Sequence, residues 1–536
     1  MVESPDSRRI HAVCVFLACA SLLAVLAARV AGPSDVWDHA QPRTLSYTTD
    51  IVVHGGSHWI LPFERDETAA SKPPMYNWIA APWVQWLGTQ NELAHRMPSV
   101  LAFLACWLAL MHLGRRIGGQ DGVMLGAIAA TVFVANLLMT KLCIIVRPDM
   151  VLTAFVFAAW LGATAQLERR FRGDAPRLLW SAMFWIGVIA GGLTKGPVAL
   201  IPVIYALLIP RLAGGRWSDI PRLHWISGLI ALATIAGGWL LLVARIDPDH
   251  LRSILIGEEI VGRVSGSGPR GSRGGPMDLL RTAPYIFGYY VVRQLPWALI
   301  VPLVVWSTWR SRRTPLVSRI DRWTRCALVF TACALVIFTL SAGKRADYVS
   351  ITTPMLGLIA GHWITIRLRP DRVRSVIAYA VVVVATVTVS IRNEWVGTSD
   401  PPRDFGDRMM QLVADVDAIM VAEPRPLYCT RLGNAPVPAL LGVSAPVRDE
   451  PIEAAIERGE PCYVLSGWRD RHFEIRDYGP ELKAKYPSVS IEAIADSGEM
   501  TRGYGWSGRA TLYKVTPPEA GFSSQLSGRS DNPSER

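Results

Sequence analysis

Long apolar segments recur between residues 10 and 392, and short polar or basic segments separate them. Many approach the roughly 20 residues that an α-helix needs to cross a bilayer. The pattern predicts eleven spans, at residues 10–31, 97–114, 121–140, 150–167, 178–194, 197–211, 225–244, 285–306, 325–342, 349–366 and 375–392. We therefore expect an α-helical polytopic membrane protein. The first span follows Arg8 and Arg9 and has no convincing small-residue cleavage site, so it is interpreted as a retained anchor and not as a signal peptide.

The pattern changes after residue 392. Charge rises, apolar spans stop, a helical period fits residues 404–420, and strand-like stretches such as "PCYVLSGW" and "RATLYKV" follow. We expect a soluble α/β domain over residues 393–515 and a disordered tail over residues 516–536, which is rich in Ser, Gly and Pro. Residues 1–392 form the predicted transmembrane domain, including a long outer loop at residues 32–96.

Composition and charge agree with this organisation. The chain is 51% hydrophobic and only 18% charged, which excludes an ordinary soluble protein of this length. With the N-terminus inside, the basic clusters at residues 115–116, 168–177, 210–224, 310–325 and 367–374 all fall on the cytoplasmic side. The net charge of +11 is thus attributed to membrane topology and not to nucleic-acid binding.

Several cationic residues lie on the opposite side, where topology does not explain them. Lys72 precedes two prolines in "SKPPMYNW", Lys195 lies in "LTKGP", and Lys344 and Arg345 lie in "SAGKRADY". Convergent lysine and arginine side chains suit a phosphate group. Tyr76 and Tyr348 neighbour these cations and are included as candidate phosphate contacts.

Carboxylates on the same side are candidates for acid–base chemistry. Asp35, Asp38 and Asp50 lie in the first outer loop, and Asp149 follows Arg147 at the mouth of a span. A carboxylate there would orient or deprotonate an acceptor hydroxyl. The alternatives are solvated loop charges and, for Asp149, a helix cap that complements the helix dipole.

The eight cysteines do not have a convincing metal-ligand spacing, and we expect no metal and no cofactor. Six lie in or beside the predicted spans as small apolar residues. Cys429 and Cys462 lie in predicted strands of the outer domain, where a disulfide and two separate thiols remain equally open.

The order of six motifs resembles a known family. "KPPMYNW", "AHRMPSVLAFLACW", "RPDMVLTAF", "LTKGPVALIP", "QLPWALIVPL" and "GKRADYVSITTPMLGLIAG" follow one another along residues 10–392. They resemble the ArnT-like (aminoarabinose transferase) and protein O-mannosyltransferase superfamily of membrane glycosyltransferases, which has the GT-C fold.

The resemblance implies metal-independent transfer of a sugar from a polyprenyl-phosphate donor. Lys72 matches the lysine that contacts the carrier phosphate, and Asp149, Lys195, Lys344 and Tyr348 match further motif positions. The family's loop acid stands about seventeen residues before a Trp-x-x-Pro motif. The residue seventeen positions before Trp59 is Pro42, which is not an acid. We therefore assign the role of the loop acid to Asp38, with Asp35 and Asp50 as alternatives.

We expect a monomer in the bacterial cytoplasmic membrane, with a cytoplasmic N-terminus and an extracytoplasmic C-terminal domain. Its partners would be the polyprenyl-phosphate sugar, a lipid or glycan acceptor and the membrane. Transfer to protein Ser or Thr, a non-enzymatic lipid-linked sugar transporter and a sensor with an outer domain are the alternatives. The transporter predicts broken helices and internal repeats.

Overall fold

A computed structural model of the protein describes residues 5–32, 34–36, 41–64, 68–212, 216–261, 276–310, 319–341, 344–368, 373–397, 403–430, 440, 447–448, 452–470, 478–498, 500–502 and 506–518. Its helices are α1 (Pro5–Val30), α2 (Gln41–His54), α3 (Met75–Leu87), α4 (Glu92–Ile117), α5 (Gly122–Val134), α6 (Leu137–Leu142), α7 (Asp149–Phe171), α8 (Leu178–Lys195), α9 (Ile201–Leu212), α10 (Trp225–Leu232), α11 (Gly238–Ile246), α12 (Pro248–His250), α13 (Pro276–Arg293), α14 (Ile300–Arg310), α15 (Arg319–Leu340), α16 (Thr353–Thr365), α17 (Val373–Gly397), α18 (Arg403–Ala422), α19 (Ile452–Glu457) and α20 (Tyr478–Lys485). 3₁₀-helices at Gly56–Trp59, Gly196–Leu200 and Ala346–Thr352 connect some of them.

The predicted helical fold class, with a small C-terminal sheet, is confirmed. Each of the eleven predicted spans falls largely on helix. By length and composition, seven helical segments of the described residues could cross a membrane, or eight if one bent pair counts as a span. The chain is a multi-pass membrane protein.

The predicted span at residues 285–306 is wrong as a single straight helix. α13 and α14 are bent by 115° at the break between Arg293 and Trp297. Pro296 lies in this break, and a proline cannot donate the backbone hydrogen bond that would continue the helix. The buried Gln294 side chain donates to the Val349 carbonyl at 3.3 Å and to Thr352 Oγ1 at 3.1 Å. The break therefore supports the 3₁₀-helix Ala346–Thr352.

The predicted span at residues 121–140 is also interrupted. α5 ends at Val134, and Asn136 caps the following helix, accepting from the Leu138 and Met139 amides at 3.0 and 3.3 Å. An asparagine side chain at this position satisfies amides that have no partner within the helix. The short helix α6 then leads to Arg147 and Asp149.

Glycines let α4 and α5 touch through their backbones. A Cβ placed on Gly114 would lie 2.1 Å from the Gly126 amide nitrogen, and a Cβ on Gly126 would lie 2.6 Å from the Met111 carbonyl oxygen. Both distances are shorter than van der Waals contact, so neither position has room for a side chain.

Gly114→Ala is therefore expected to destabilise the protein by about 1–3 kcal/mol, the usual cost of overpacking. The measurement is the thermal midpoint of the detergent-purified protein. The control is Gly288→Ala in α13, where a Cβ would have no heavy atom within 4 Å, so its midpoint should stay equal or rise slightly. Equal midpoints for the two variants would contradict this packing.

The C-terminal sheet contains strands β3 to β8, after a separate hairpin of β1 (Phe63–Glu64) and β2 (Thr68–Ala69). The strands are β3 (Leu427–Thr430), β4 (Val447–Arg448), β5 (Cys462–Asp470), β6 (Ser490–Asp496), β7 (Met500–Arg502) and β8 (Trp506–Thr516). Their order is β4-β3-β5-β8-β6, and β7 also pairs with β8. β3 runs parallel to β4 and β5, whereas β8 runs antiparallel to β5 and β6.

The strand register keeps Cys429 and Cys462 of the C-terminal sheet apart. Cys429 pairs with Leu465 of β5, so Cys462 is three positions further along the same strand, a distance of about 10 Å. This exceeds the Cα separation that a disulfide allows. Both cysteines are thiols in the structure, which decides the question that the sequence left open.

Candidate active site

Two antiparallel helices bring Asp149 and Lys195 together. α7 begins at Asp149, directly after Pro148. α8 returns along α7 and ends at Lys195, where Gly196 has a φ of 70° that favours glycine. Lys195 Nζ donates to Asp149 Oδ1, and the two side chains are only 5% and 3% exposed. They form a buried ion pair.

Arg147 connects this pair to a third segment of the chain. Its Nη2 lies 3.3 Å from Asp149 Oδ2, and its Nη1 lies 2.8 Å from Asp347 Oδ2. Asp347 belongs to the 3₁₀-helix that follows α15. One guanidinium thus bridges two carboxylates that are almost 200 positions apart in the sequence.

The same 3₁₀-helix contributes an aromatic ring. Lys195 Nζ lies 5.2 Å from the centroid of the Tyr348 ring, within cation–π range. Thr153 Oγ1 of α7 donates to Ser350 Oγ at 3.1 Å. These contacts fix the segment against the ion pair.

Lys72 reaches the ion pair from the first loop. The hairpin of β1 and β2 precedes it, closed by the bond from the Ala70 amide to the Pro62 carbonyl at 2.8 Å. α3 then starts at Met75. The half-buried Lys72 adds to the positive potential that acts on Asp149. The element that precedes the two prolines is thus a strand hairpin.

We call these five residues, Lys72, Arg147, Asp149, Lys195 and Asp347, the charged cluster. Three cations face two carboxylates, so the cluster has an excess of positive charge. A partly dehydrated site with such an excess suits a phosphate group.

Lys344 and Arg345 begin the segment that carries Asp347. Arg345 is exposed at the start of the 3₁₀-helix. Lys344 Nζ donates to the Ser341 carbonyl at 3.1 Å, and partial burial lowers the pKa of Lys344. Their predicted contact with a phosphate stays a prediction.

Tyr76 is placed differently from the cations. It is only 1% exposed, and its hydroxyl donates to the His95 carbonyl at 2.9 Å. The ring joins α3 to α4 in this structure. Its predicted contact with a phosphate stays a prediction.

Asp35 lies in a separate ion-pair network. Arg29 Nη2 and Arg96 Nη2 lie 2.7 and 2.8 Å from its two carboxylate oxygens. Burial acts to raise the pKa of Asp35, but the combined effect of Arg96 and Arg29 outweighs it and holds that pKa below the usual range. A carboxylate in two ion pairs is a weak general base, so its geometry fits a scaffolding role.

This network predicts a pH-dependent stability. Because the pKa of Asp35 is lowered on folding, its contribution is complete above the unfolded value of about 3.9 and is lost as the pH falls through the native value. Asp35→Asn should lower the thermal midpoint at pH 7, and the gap to wild type should narrow below about pH 4. The control is Asp174→Asn, whose half-exposed side chain is 3.7 Å from Arg169. A gap that is constant across pH would contradict the role of Asp35.

Asp50 is also engaged. Its Oδ1 and Oδ2 each lie 2.8 Å from a histidine Nδ1, of His54 and His58 respectively. The Phe63 amide donates to Oδ2 at 2.8 Å. Asp38, the preferred candidate for the loop acid, lies outside the described residues.

Two residues of this region were not predicted from the sequence. Asp347 lies in the motif "GKRAD", of which only Lys344 and Arg345 were predicted to be site residues. Gln41 accepts from the Val146 amide at 2.7 Å and donates to the Asp35 carbonyl at 2.7 Å. It thereby joins the first loop to the segment before Asp149, and an uncharged glutamine gave no signal of this role.

The chain is similar in sequence and in fold to known proteins. A family model described as dolichyl-phosphate-mannose-protein mannosyltransferase matches residues 71–239, a range that includes every member of the charged cluster except Asp347. The crystal structure of ArnT from Cupriavidus metallidurans bound to undecaprenyl phosphate superposes with a TM-score of 0.63 and 17% identity, covering 92% of this chain and 97% of that one. The chain therefore shares the fold of this ArnT. The apo form of the same ArnT gives a TM-score of 0.59 at 17% identity, over 88% of this chain and 92% of that one.

Curated relatives of the chain are sugar transferases by name. One is undecaprenyl phosphate-alpha-4-amino-4-deoxy-L-arabinose arabinosyl transferase 2 of Pseudomonas fluorescens (strain Pf0-1), 24% identical over 64% of this chain and 58% of the relative. The protein of the same name in Proteus mirabilis (strain HI4320) is 25% identical over 61% of this chain and 54% of its own length. The chain thus spans a little over half the length of these relatives.

Proposed function

We propose that this protein is an inverting glycosyltransferase. It moves a sugar from a polyprenyl-phosphate donor to a lipid or glycan acceptor of the lipid A type. It works at the outer face of the bacterial cytoplasmic membrane, with its N-terminus in the cytoplasm and its C-terminal domain outside. The names of the relatives and the GT-C fold support the reaction class, and the charged cluster supports the site.

The charged cluster is the observation that carries the proposal. Its cations come from the first loop, the segment before α7 and the end of α8, so the fold has assembled them at one place. Burying cations costs free energy unless opposite charge is present. Two carboxylates compensate only part of that charge, and the carrier phosphate would supply the rest.

The cluster would lower the barrier by stabilising the leaving group. The bond between the sugar C1 and the phosphate oxygen breaks, and negative charge grows on the phosphate. Lys72 and Lys195 meet this charge where it develops, which is an effective form of electrostatic catalysis. No cofactor enters the step.

The acceptor hydroxyl would attack C1 from the face opposite to the phosphate. A new bond between the acceptor oxygen and C1 forms, and the anomeric configuration inverts. The hydroxyl proton passes to a carboxylate of the first loop, for which Asp38 is our choice. Arg147 holds Asp149 and Asp347 in place, and we assign to these two carboxylates the positioning of the cations.

The decisive experiment is a turnover assay with the purified full-length protein in lipid nanodiscs. The donors are undecaprenyl-phosphate sugars, and the acceptors are lipid A and a Ser/Thr-rich peptide. Release of undecaprenyl phosphate only with lipid A supports the proposal. Release of undecaprenyl phosphate only with the peptide would instead support protein O-glycosylation. Binding of the donor without its consumption, with either acceptor, would contradict a transferase.

One observation favours a second candidate, a protein that binds or moves the lipid-linked sugar without transferring it. Asp35, Asp50 and Asp149 are all held by ion pairs or hydrogen bonds. In the described part of the chain, both oxygens of each of these three carboxylates have a partner. Asp38→Asn tests this candidate, because a transferase should lose turnover in that variant whereas a carrier protein should bind donor unchanged.

A further inference from the structure

The sequence places Asp50, His54 and His58 four positions apart, across the end of α2 and the turn after it. His54 is the last residue of α2, and Gly55 and Gly56, with φ values of 64° and 51°, turn the chain into the 3₁₀-helix that contains His58. Positive φ values favour glycine. The turn folds His58 back over the helix end, and the two imidazole centroids are 4.9 Å apart.

We propose that these three side chains form a binding site for a divalent transition-metal ion, with zinc as the best match. One ligand atom from each residue lies within 4.8 Å of the others. Ligands of a tetrahedral zinc ion at roughly 2.0–2.1 Å are about 3.4 Å apart. Small ring rotations therefore close the site around an ion.

The chemistry of the ligands agrees with this choice. Two imidazoles and one carboxylate are typical ligands of zinc and of related first-row ions, whereas calcium and magnesium prefer oxygen alone. The Asp50 side chain is 5% exposed, but those of His54 and His58 are 44% and 25% exposed. An ion can enter from the solvent side, and a water molecule can complete the coordination.

An outer contact already orients the carboxylate. The Phe63 amide donates to Asp50 Oδ2, and such bonds fix the direction of a metal ligand. Phe63 begins the hairpin that leads to Lys72. A bound ion would therefore fasten α2, the glycine turn and this hairpin together, as a structural clamp on the first loop.

The alternative is a hydrogen-bonded cluster without an ion. In that case the two imidazoles only donate to Asp50 and steady the turn. A metal would then have to break both bonds for no net gain, and binding would be weak and independent of these residues.

The test uses the full-length protein in detergent with its affinity tag removed, because a polyhistidine tag binds the same ions. Co²⁺ is titrated as a spectroscopic probe and Zn²⁺ is then added as a competitor. Wild type should develop the visible absorption bands of tetrahedral Co²⁺ at one equivalent, and Zn²⁺ should remove them. Zn²⁺ should also raise the thermal midpoint.

The variants are His54→Ala, His58→Gln and Asp50→Asn, and the matched control is His112→Gln, an exposed histidine in α4. Loss of one ligand should weaken Co²⁺ binding by more than the 10- to 100-fold that loss of an outer partner costs. His112→Gln should bind as wild type does.

Two results would overturn the proposal. One is a wild-type protein without tetrahedral bands. The other is binding that is equal in wild type and in the His54→Ala, His58→Gln double variant. A thermal midpoint in EDTA that is below that of wild type would show that a variant is poorly folded. In that case the Co²⁺ affinity of His58→Gln, the most conservative change, is the result that tests the proposal. The result does not depend on sugar transfer, so it is separable from the proposed function.

Discussion

Lys72→Ala is expected to lower the rate of sugar transfer by about 100- to 1,000-fold, the usual effect of removing one group that stabilises transition-state charge. Lys72 is the cation of the charged cluster that comes from the first loop, and its ammonium acts on the site through Asp149. We expect the fall mainly in kcat, because the charge on the phosphate grows as the glycosidic bond breaks. Release of undecaprenyl phosphate over time is the measurement.

Two variants make this result specific. Lys72→Arg keeps the positive charge but places it on a planar guanidinium group, so this variant should retain part of the wild-type transfer rate. Lys483→Ala removes an exposed lysine from α20 in the C-terminal domain and should leave the rate unchanged. A Lys72→Ala protein that turns over at the wild-type rate would remove Lys72 from the proposed site.

Asp149→Ala is expected to destabilise the protein by about 3–5 kcal/mol, because removing one partner leaves a buried charge uncompensated. Lys195 and Arg147 would both lose their shared carboxylate. The thermal midpoint of the detergent-purified protein should fall clearly, and the change is measured together with the unfolding midpoint in denaturant.

The double variant Asp149→Leu, Lys195→Met separates the contribution of the ion pair to stability from its contribution to turnover. It removes both charges and keeps the volume, so most of the stability should return. Turnover should stay low if Lys195 meets the carrier phosphate. A double variant with both stability and turnover restored would make the ion pair a purely structural element, and an unchanged midpoint for Asp149→Ala would contradict its burial.

The sequence was sufficient to predict a site residue where an ionisable side chain lies at an unusual position, such as the edge of an apolar span. Lys195 and Asp149 stood out because an ionisable residue at the edge of an apolar span has few structural explanations. Lys72 stood out because two prolines follow it. The structure brings these residues to one cluster, as convergent cations require.

The sequence was less informative where the role of a residue depends on the side chains that contact it. The carboxylates of the first loop looked alike in the sequence, yet Asp35 pairs with two arginines and Asp50 contacts two histidines. The two arginines lie on α1 and α4, and His58 lies across a glycine turn, whereas His54 is on the same helix as Asp50. The spacing of Asp50, His54 and His58 was visible in the sequence, but the contact between their side chains was not.

The sequence was enough to predict the membrane class, the approximate span positions, the change of character after residue 392 and the two lysines of the charged cluster. Apolar length and charge are local properties, and they decide these features directly. The tertiary structure alone decided that Arg147 bridges Asp149 and Asp347 and that α13 and α14 form a bent pair. The bridge joins segments that are far apart in the chain, for which a single sequence carries no distance. At the bend, Gln294 contacts Val349 and Thr352, which are also distant in the chain.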